Sequence, residues 1–179
     1  MADHSLPPPV GIRRIVTTHN KRGVATLQSD ALLAMEDMPD IPGARSAAVW
    51  VTQDSIPTNE NNFFDDGALR KISNPSNLDL VHPTGTNFRT TDLAPGGVTP
   101  MHRTSSMDYN ILVLGEVILV LEDGTERHLK NPGDTVVQKG TMHAWRNPSQ
   151  RWARWLSILI AAEPAEAGGG PLRPEFKFT

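Results

Sequence analysis

Two short stretches of the chain contain the residue types that bind divalent metals. Residues 100–117, PMHRTSSMDYNILVLGEV, include His102 and Asp108, and residues 140–147, GTMHAWRN, include His143. Two neutral imidazoles and one carboxylate, brought together from different strands, form a facial triad that leaves open positions on a metal ion. We therefore predict a divalent metal site at His102, Asp108 and His143, with Fe, Mn, Ni or Zn as the ion, and the same residues as the catalytic centre.

The spacing around His102 places several polar residues on one face of the backbone. Side chains alternate across a strand, whether 101–113 is one strand or two strands that meet at a bend. The even-numbered residues that share this face are His102, Thr104, Ser106, Asp108 and Asn110. Polar groups inside a small barrel are costly unless they are paired or bind something. The pattern indicates either a metal pocket or polar side chains that only hydrogen-bond one another.

Three further residues are candidates for substrate binding. Thr104 and Ser106 can contact a substrate or hydrogen-bond Asp108, or they are simply polar residues that favour a strand. Gln138 can hydrogen-bond a ligand carbonyl, or it is a surface strand residue. Trp145 can stack on a ligand or simply pack in the interior, with its N–H given a partner. We name Thr104, Gln138 and Trp145 as substrate-binding candidates, with both interpretations open for each.

These residues lie in a region that reads as a series of short strands. From residue 86 onward, β-branched and apolar runs are separated by turn residues about every 8–12 positions. The Asp-Gly pair in EDGT, residues 122–125, is typical of a tight hairpin turn. This spacing predicts an antiparallel sandwich or barrel, and not alternating strands and helices.

The part of the chain before residue 86 is more mixed. Residues 13–19, 24–29 and 46–53 predict strands by their β-branched content. Residues 30–44 have room for a helical turn, although two prolines interrupt them. Residues 54–85 are rich in Asn, Asp, Pro and Gly and predict a long loop, which is often a functional cover.

The length of 179 residues predicts one domain with a real hydrophobic core. We divide the chain into an N-terminal arm (1–12), a barrel domain (13–163, with its core at 86–163) and a C-terminal tail (164–179). The arm contains three consecutive prolines and the tail contains a glycine triplet, so we expect both to be peripheral.

Composition excludes several classes of function. The formal net charge is −3 and no basic run is present, so nucleic acid is not an expected partner. The absence of cysteine excludes disulfides, thiolate nucleophiles and thiolate metal ligands. No apolar run is long enough to span a membrane and no secretory signal is evident, so we expect a soluble cytoplasmic protein. Motifs for serine hydrolysis, phosphate loops and dinucleotide binding are also missing.

Residues 97–147 resemble the two motifs of the cupin superfamily. The first, G-x5-H-x-H-x3/4-E-x6-G, is matched by Gly96 or Gly97, His102, Asp108 and Gly115. The second, G-x5-P-x-G-x2-H-x3-N, is matched by Gly133, Gly140, His143 and Asn147. Thr104 replaces the second histidine and Asp108 the glutamate. The second motif is one residue short and lacks its proline, with Gln138 in about that place.

This resemblance implies an all-β fold, an antiparallel double-sheet jelly-roll (cupin) barrel with extra N-terminal strands. It reduces the four-ligand site of the family to His102, Asp108 and His143. The local sequence around the motifs is similar to that of small single-domain cupins, including those of fungal and bacterial natural-product clusters. Homodimerisation is a further implication.

The resemblance also implies a metal-dependent enzyme that acts on a carbonyl-bearing small molecule in secondary metabolism, such as polyketide biosynthesis. The first expectation is a lyase or isomerase, which dehydrates, isomerises or cyclises its substrate by Lewis-acid and acid–base catalysis. One alternative is an Fe(II) dioxygenase or another oxidoreductase. The other alternative is a non-catalytic cupin that binds a small molecule.

Overall fold

The computed structural model describes residues 7–19, 21–22, 25–167 and 169–177. Its strands are β1 (Ile12–His19), β2 (Ala25–Leu33), β3 (Glu36–Asp37), β4 (Ala44–Thr52), β5 (Thr86–Leu93), β6 (Met101–Arg103), β7 (Ser106–Leu114), β8 (Val117–Leu121), β9 (Glu126–Leu129), β10 (Thr135–Lys139), β11 (His143–Arg146), β12 (Ala153–Ala161), β13 (Glu166–Ala167), β14 (Gly170–Pro171) and β15 (Glu175–Lys177). Short 3-10 helices occur at Glu60–Asn62, Gly67–Leu69 and Pro75–Asn77. The predicted all-β class is confirmed.

Two antiparallel sheets form the body of the molecule. One has six strands in the order β10-β7-β12-β5-β4-β3, and the other has five in the order β15-β6-β11-β8-β9. β1 pairs with β2 and β13 pairs with β14 in separate hairpins. The double-sheet arrangement expected from the strand pattern is therefore present, and the N-terminal strand β4 extends the six-stranded sheet.

The two sheets pack against each other through apolar side chains. Leu112 and Trp155 come from the six-stranded sheet, and Leu119 and Trp145 come from the five-stranded sheet. The rings of Trp145 and Trp155 meet across the interface, with centroids 5.5 Å apart. Removal of this apolar surface from water is the main stabilising contribution to the fold. The same side chains form part of the two walls of the space between the sheets.

The chain changes sheets between β6 and β7. β6 belongs to the five-stranded sheet and β7 to the six-stranded sheet, so Thr104 and Ser105 form the crossing. Asn77, from the long loop at 54–85, fixes this crossing: its Oδ1 accepts from the Ser105 backbone N–H at 2.8 Å. The loop therefore docks where the two sheets join, and its Leu80 reaches the space between them.

The hairpin predicted at 122–125 is confirmed. This turn connects β8 with β9, and Gly124 has a φ of 82°, a conformation that side-chain-bearing residues adopt at a cost. The Leu121 backbone N–H donates to the Thr125 carbonyl at 2.9 Å and closes the turn.

Two expectations need correction. Residues 30–44 contain no helical turn: β2 runs on to Leu33, because pairing with β1 satisfies its backbone, and a short β3 follows. Residues 175–177, expected to be a peripheral tail, form β15 and pair with β6. Residues 1–6 of the predicted arm, Val24, Gly168 and 178–179 lie outside the described residues. The domain limits themselves stay predictions.

Candidate functional site

A cavity of about 90 Å³ lies between the two sheets. His102 and His143 line it from the five-stranded sheet, and Arg89, Asp108 and Asn110 line it from the six-stranded sheet. This volume accommodates a few water molecules or the reactive end of a small organic molecule. The predicted catalytic residues thus share one cavity, and they reach it from opposite walls.

The two histidines form a cross-strand pair. His143 on β11 is the direct antiparallel partner of His102 on β6, and their ring centroids are 4.3 Å apart. His102 Nδ1 lies 3.0 Å from the Pro100 carbonyl, and His143 Nδ1 lies 3.0 Å from the Thr141 carbonyl. A carbonyl only accepts, so each Nδ1 is the N–H donor and the lone pair of each neutral ring is on Nε2.

Burial keeps both rings uncharged. It lowers the pKa of His102, although the hydrogen bond to the Pro100 carbonyl opposes this shift. It lowers the pKa of His143 to about 3, and the neighbouring His102 adds to the effect. Two neutral imidazoles with a free Nε2 each, oriented by hydrogen bonds from Nδ1, are the donor groups that divalent transition metals take up in proteins.

Asp108 reaches the same cavity from β7 and is held by a chain of hydroxyl groups. Ser106 Oγ donates to Asp108 Oδ1 at 2.6 Å, and Thr104 Oγ1 lies 2.9 Å from Ser106 Oγ. The Asp108 side chain is buried, and burial raises its pKa to about 6, while the Ser106 hydrogen bond opposes the rise. Ser106 therefore supports Asp108 directly and Thr104 supports it through Ser106, which was one of the interpretations of these residues.

The predicted three-residue metal site is not assembled in this structure. Among the described residues, no three His, Asp or Glu side chains are grouped closely enough to hold a metal ion. His102 lies on the five-stranded sheet and Asp108 on the six-stranded sheet, because the chain crosses between the sheets at 104–105. The two imidazoles are donor groups of the type that metals take up, and the role of Asp108 as a third ligand stays a prediction.

Aromatic side chains close the cavity around the histidines. Trp145 lies edge-on to His143 with ring centroids 5.9 Å apart. The ring of Trp145 also contacts the ring of Trp155. Phe176 on β15 pairs in register with His102, with ring centroids 6.0 Å apart. Trp145 thus both packs in the core and lines the cavity. Phe176 was missed in the sequence because its segment carries no strand pattern.

Gln138, the remaining substrate-binding candidate, is buried but does not line the cavity. It is the cross-strand neighbour of Asp108, from β10 to β7. Its Nε2 donates to the hydroxyl of Thr141, and its Oε1 has no partner among the described residues. The surface-residue interpretation is therefore wrong, and contact with a substrate stays a prediction.

No family model matches the chain. A cupin-domain-containing oxidoreductase of Neurospora crassa is 40% identical over 174 residues, which are 92% of this chain and 83% of the relative. A phomopsin biosynthesis cluster protein of Diaporthe leptostromiformis is 35% identical over 164 residues, 87% of this chain and 82% of the relative.

Among solved structures, the polyketide cyclase RemF of Streptomyces resistomycificus aligns with a TM-score of 0.48 and 18% identity, over 74% of this chain and 77% of the cyclase. No helix within the described residues combines the length and the apolar character needed to cross a membrane.

Proposed function

The chain belongs to the family of cupin-domain-containing proteins, and from this premise we propose that it is an enzyme that transforms a carbonyl-bearing small molecule in secondary metabolism. The observation that carries the proposal is the pair of uncharged histidines, His102 and His143, which share a cavity with the protonatable carboxyl group of Asp108. Clusters of perturbed titratable groups in a cavity are typical of catalytic sites.

His102 and His143 are the residues that would hold a divalent metal, each through Nε2. When bound there, the ion supplies a Lewis acid for a carbonyl oxygen. The backbone carbonyls of Pro100 and Thr141 fix the ring orientations, so the pair is set before any ligand arrives. The ion would be Fe, Mn, Ni or Zn; imidazole is a preferred ligand of Fe, Ni and Zn, and a nearby carboxylate favours Mn.

Asp108 is the residue that moves a proton. A carboxyl group whose pKa is about 6 is present in both protonation states near neutral pH, so it can accept a proton from a carbon next to a carbonyl and return it elsewhere. Ser106 holds Asp108 Oδ1, which leaves Oδ2 for the substrate. Loss of a proton from one atom and its return to another gives isomerisation, and departure of a hydroxyl gives dehydration. This is the lyase or isomerase class.

An oxidoreductase is the second candidate. It is favoured by the name of the Neurospora crassa relative. The same cavity serves this chemistry if the histidine pair holds iron and the substrate is oxidised by dioxygen. The two candidates differ in a simple observable, because only the oxidative reaction consumes dioxygen, and an isomerase or lyase works equally well under nitrogen.

The metal content of the purified protein tests the proposal. Protein prepared without chelators or an affinity-column metal is measured by plasma mass spectrometry beside the variants His102→Gln/His143→Gln and Asp108→Asn. We expect near-stoichiometric metal in the wild type and none in the histidine variant. We expect Asp108→Asn to retain the metal and lose turnover. Loss of metal from Asp108→Asn would instead make Asp108 the third ligand, as the sequence motif suggests.

Absence of metal from wild-type protein, even after its addition, would contradict the metal-dependent enzyme and favour a non-catalytic binding protein. A homodimer in the cytoplasm completes the proposal. Light scattering coupled to gel filtration measures the oligomeric state directly.

A further inference from the structure

A row of polar side chains crosses the six-stranded sheet on the wall opposite the histidines. Arg89 on β5 is in register with Ser157 on β12, and Ser157 is in register with Asn110 on β7. All three line the cavity. A sheet wall that faces an apolar core normally carries apolar side chains, so three adjacent polar residues in one row need a specific reason.

The half-buried guanidinium of Arg89 carries a positive charge that no carboxylate of the described residues neutralises. Its Nε and Nη2 donate to Ser46 Oγ, at 3.0 and 2.6 Å, and Ser46 Oγ in turn donates to the Thr90 carbonyl at 2.6 Å. These contacts orient the guanidinium but bring no negative charge. Within the described residues, no carboxylate lies at ion-pair distance and Nη1 makes no hydrogen bond. Burial lowers the pKa of Arg89 to about 10, which still leaves it charged at neutral pH.

Asn110 supplies a second donor without a partner. Its Oδ1 accepts a hydrogen bond from Ser157 Oγ at 2.6 Å. Its Nδ2 is buried and has no hydrogen-bond partner among the described residues. A buried donor left unpaired is destabilising, by an amount comparable to a lost hydrogen bond. Among the described residues, the same row therefore holds one cation without a carboxylate partner and one amide N–H without a hydrogen-bond partner.

We propose that Arg89 and Asn110 form a carboxylate-binding subsite, and that the substrate of the proposed enzyme is an organic acid. The planar guanidinium offers parallel N–H groups that match the two oxygens of a carboxylate, and the Asn110 amide adds a neutral donor. The bound acid neutralises Arg89 and satisfies Asn110. This subsite lies on one wall and the histidine pair on the other, so an acid anchored at Arg89 directs the rest of its structure towards His102 and His143.

This inference rests on the proposed function for the identity of the substrate, but its test does not need catalysis or metal. Chelator-treated protein is titrated by calorimetry with acetate, propionate and benzoate, and with the corresponding neutral amides. We expect the carboxylates to bind more tightly than the amides in the wild type. Arg89→Gln should weaken carboxylate binding by about tenfold to a hundredfold and leave amide binding unchanged, since a charge-assisted hydrogen bond contributes that much.

Two variants serve as controls. Arg127→Gln removes the same charge from an exposed position on β9 and should leave binding as in the wild type. His102→Gln/His143→Gln should still bind the carboxylates, so that carboxylate binding is preserved where the metal-dependent function has been removed. The failure of one proposal is therefore distinguishable from the failure of the other.

Equal carboxylate affinities in Arg89→Gln and wild-type protein would overturn the subsite, as would wild-type protein that binds no carboxylate of the series. If Arg89→Gln does not fold, the proposal is tested on the wild-type protein by nuclear magnetic resonance of its arginine side chains. In wild-type protein the Arg89 Nε–H resonance should shift on addition of benzoate and stay in place with benzamide. An Arg89 resonance that responds alike to both probes refutes the proposal.

Discussion

His102 and His143 face each other across adjacent strands with their ring centroids 4.3 Å apart, and both rings are uncharged. Two imidazolium ions could not be held at this separation in a buried site without a large electrostatic cost. The pair is therefore stable only in the neutral form, which is also the form that binds metals. This relationship has a measurable consequence for the stability of the metal-free protein.

Replacement of His143 should make the free energy of unfolding depend less steeply on pH between neutral and acid conditions. The folded pKa of His143 is about 3, well below the ordinary value of 6.5, so the unfolded chain binds a proton that the folded chain does not. The contribution of this group is fully present above pH 6.5 and is lost as the pH falls towards 3. Between pH 7.5 and 5, His143→Gln should lose about 2 kcal/mol less of its free energy of unfolding than the wild type.

Urea unfolding of chelator-treated protein, followed by circular dichroism at both pH values, measures this difference. His128→Gln, which replaces an exposed histidine outside the cavity, is the control for the loss of any histidine. Parallel profiles for His143→Gln and the wild type would contradict an uncharged buried ring.

Asp108→Asn should separate stability from activity. The folded pKa of Asp108 is raised from 3.8 to about 6, so the protonated form is favoured in the folded protein and ionisation is a cost. This cost is absent below pH 3.8, grows as the pH rises towards 6 and then stays at about 3 kcal/mol. The variant has no group to ionise there, so at pH 7.5 it should unfold at a higher urea concentration than the wild type.

The same variant should lose turnover, because asparagine cannot exchange a proton. Ser106→Ala serves as a milder comparison: it removes the hydrogen bond to Asp108 Oδ1 and keeps the carboxyl group. Retained activity in Asp108→Asn would remove Asp108 from the mechanism, whatever its effect on stability.

The alternation of side chains along a strand accounts for the part of the site that can be predicted from the sequence. A two-residue period predicts that His102, Thr104 and Asp108 face the interior, and all three line the cavity. The period says nothing about which sheet a strand joins, and the crossing at 104–105 depends on long-range pairing with β11 and β12. The wall of the cavity from which Asp108 projects could therefore not be derived from spacing.

Other parts of the site have weaker local signals. Arg89 stands in the strand TNFRTTDLA among residues of both faces, and only the packed sheets show that it lines the cavity without a carboxylate partner. Phe176 follows a proline- and glycine-rich segment, and its strand exists because β6 offers an edge. By contrast, the Asp-Gly turn at 123–124 is specified by backbone conformation alone, which is why it was predictable.

Phe176→Ala should open the cavity without loss of the fold. Phe176 is only partly buried, lines the cavity and packs beside His102, while its strand is held by backbone pairing that the substitution keeps. The expected cost is about 2 kcal/mol, less than for a fully buried phenylalanine. Acrylamide should quench the fluorescence of Trp145 and Trp155 more strongly in the variant. Phe64→Ala, at an exposed position, should leave quenching unchanged, and equal quenching in all three proteins would show that β15 does not cover the cavity.

The charge pair of Asp92 and Arg154 should be structural, in contrast to Arg89. Asp92 on β5 is fully buried and accepts from Arg154 Nε and Nη2 at 2.5 and 2.8 Å, and the two residues are direct cross-strand partners. Asp92→Asn leaves the guanidinium uncompensated, and the free energy of unfolding should fall by about 3–5 kcal/mol.

The exposed pair of Arg146 and Glu126 is the matched control, because Glu126→Gln should cost less than about 1 kcal/mol. Arg89→Gln should behave in the opposite sense to Asp92→Asn and raise the free energy of unfolding. It removes a half-buried charge that has no carboxylate partner among the described residues, and it leaves only Ser46 without its donor. Urea midpoints of the three variants measure the order directly. A loss of stability in Arg89→Gln as large as that in Asp92→Asn would mean that Arg89, too, is retained for the fold and not for a ligand.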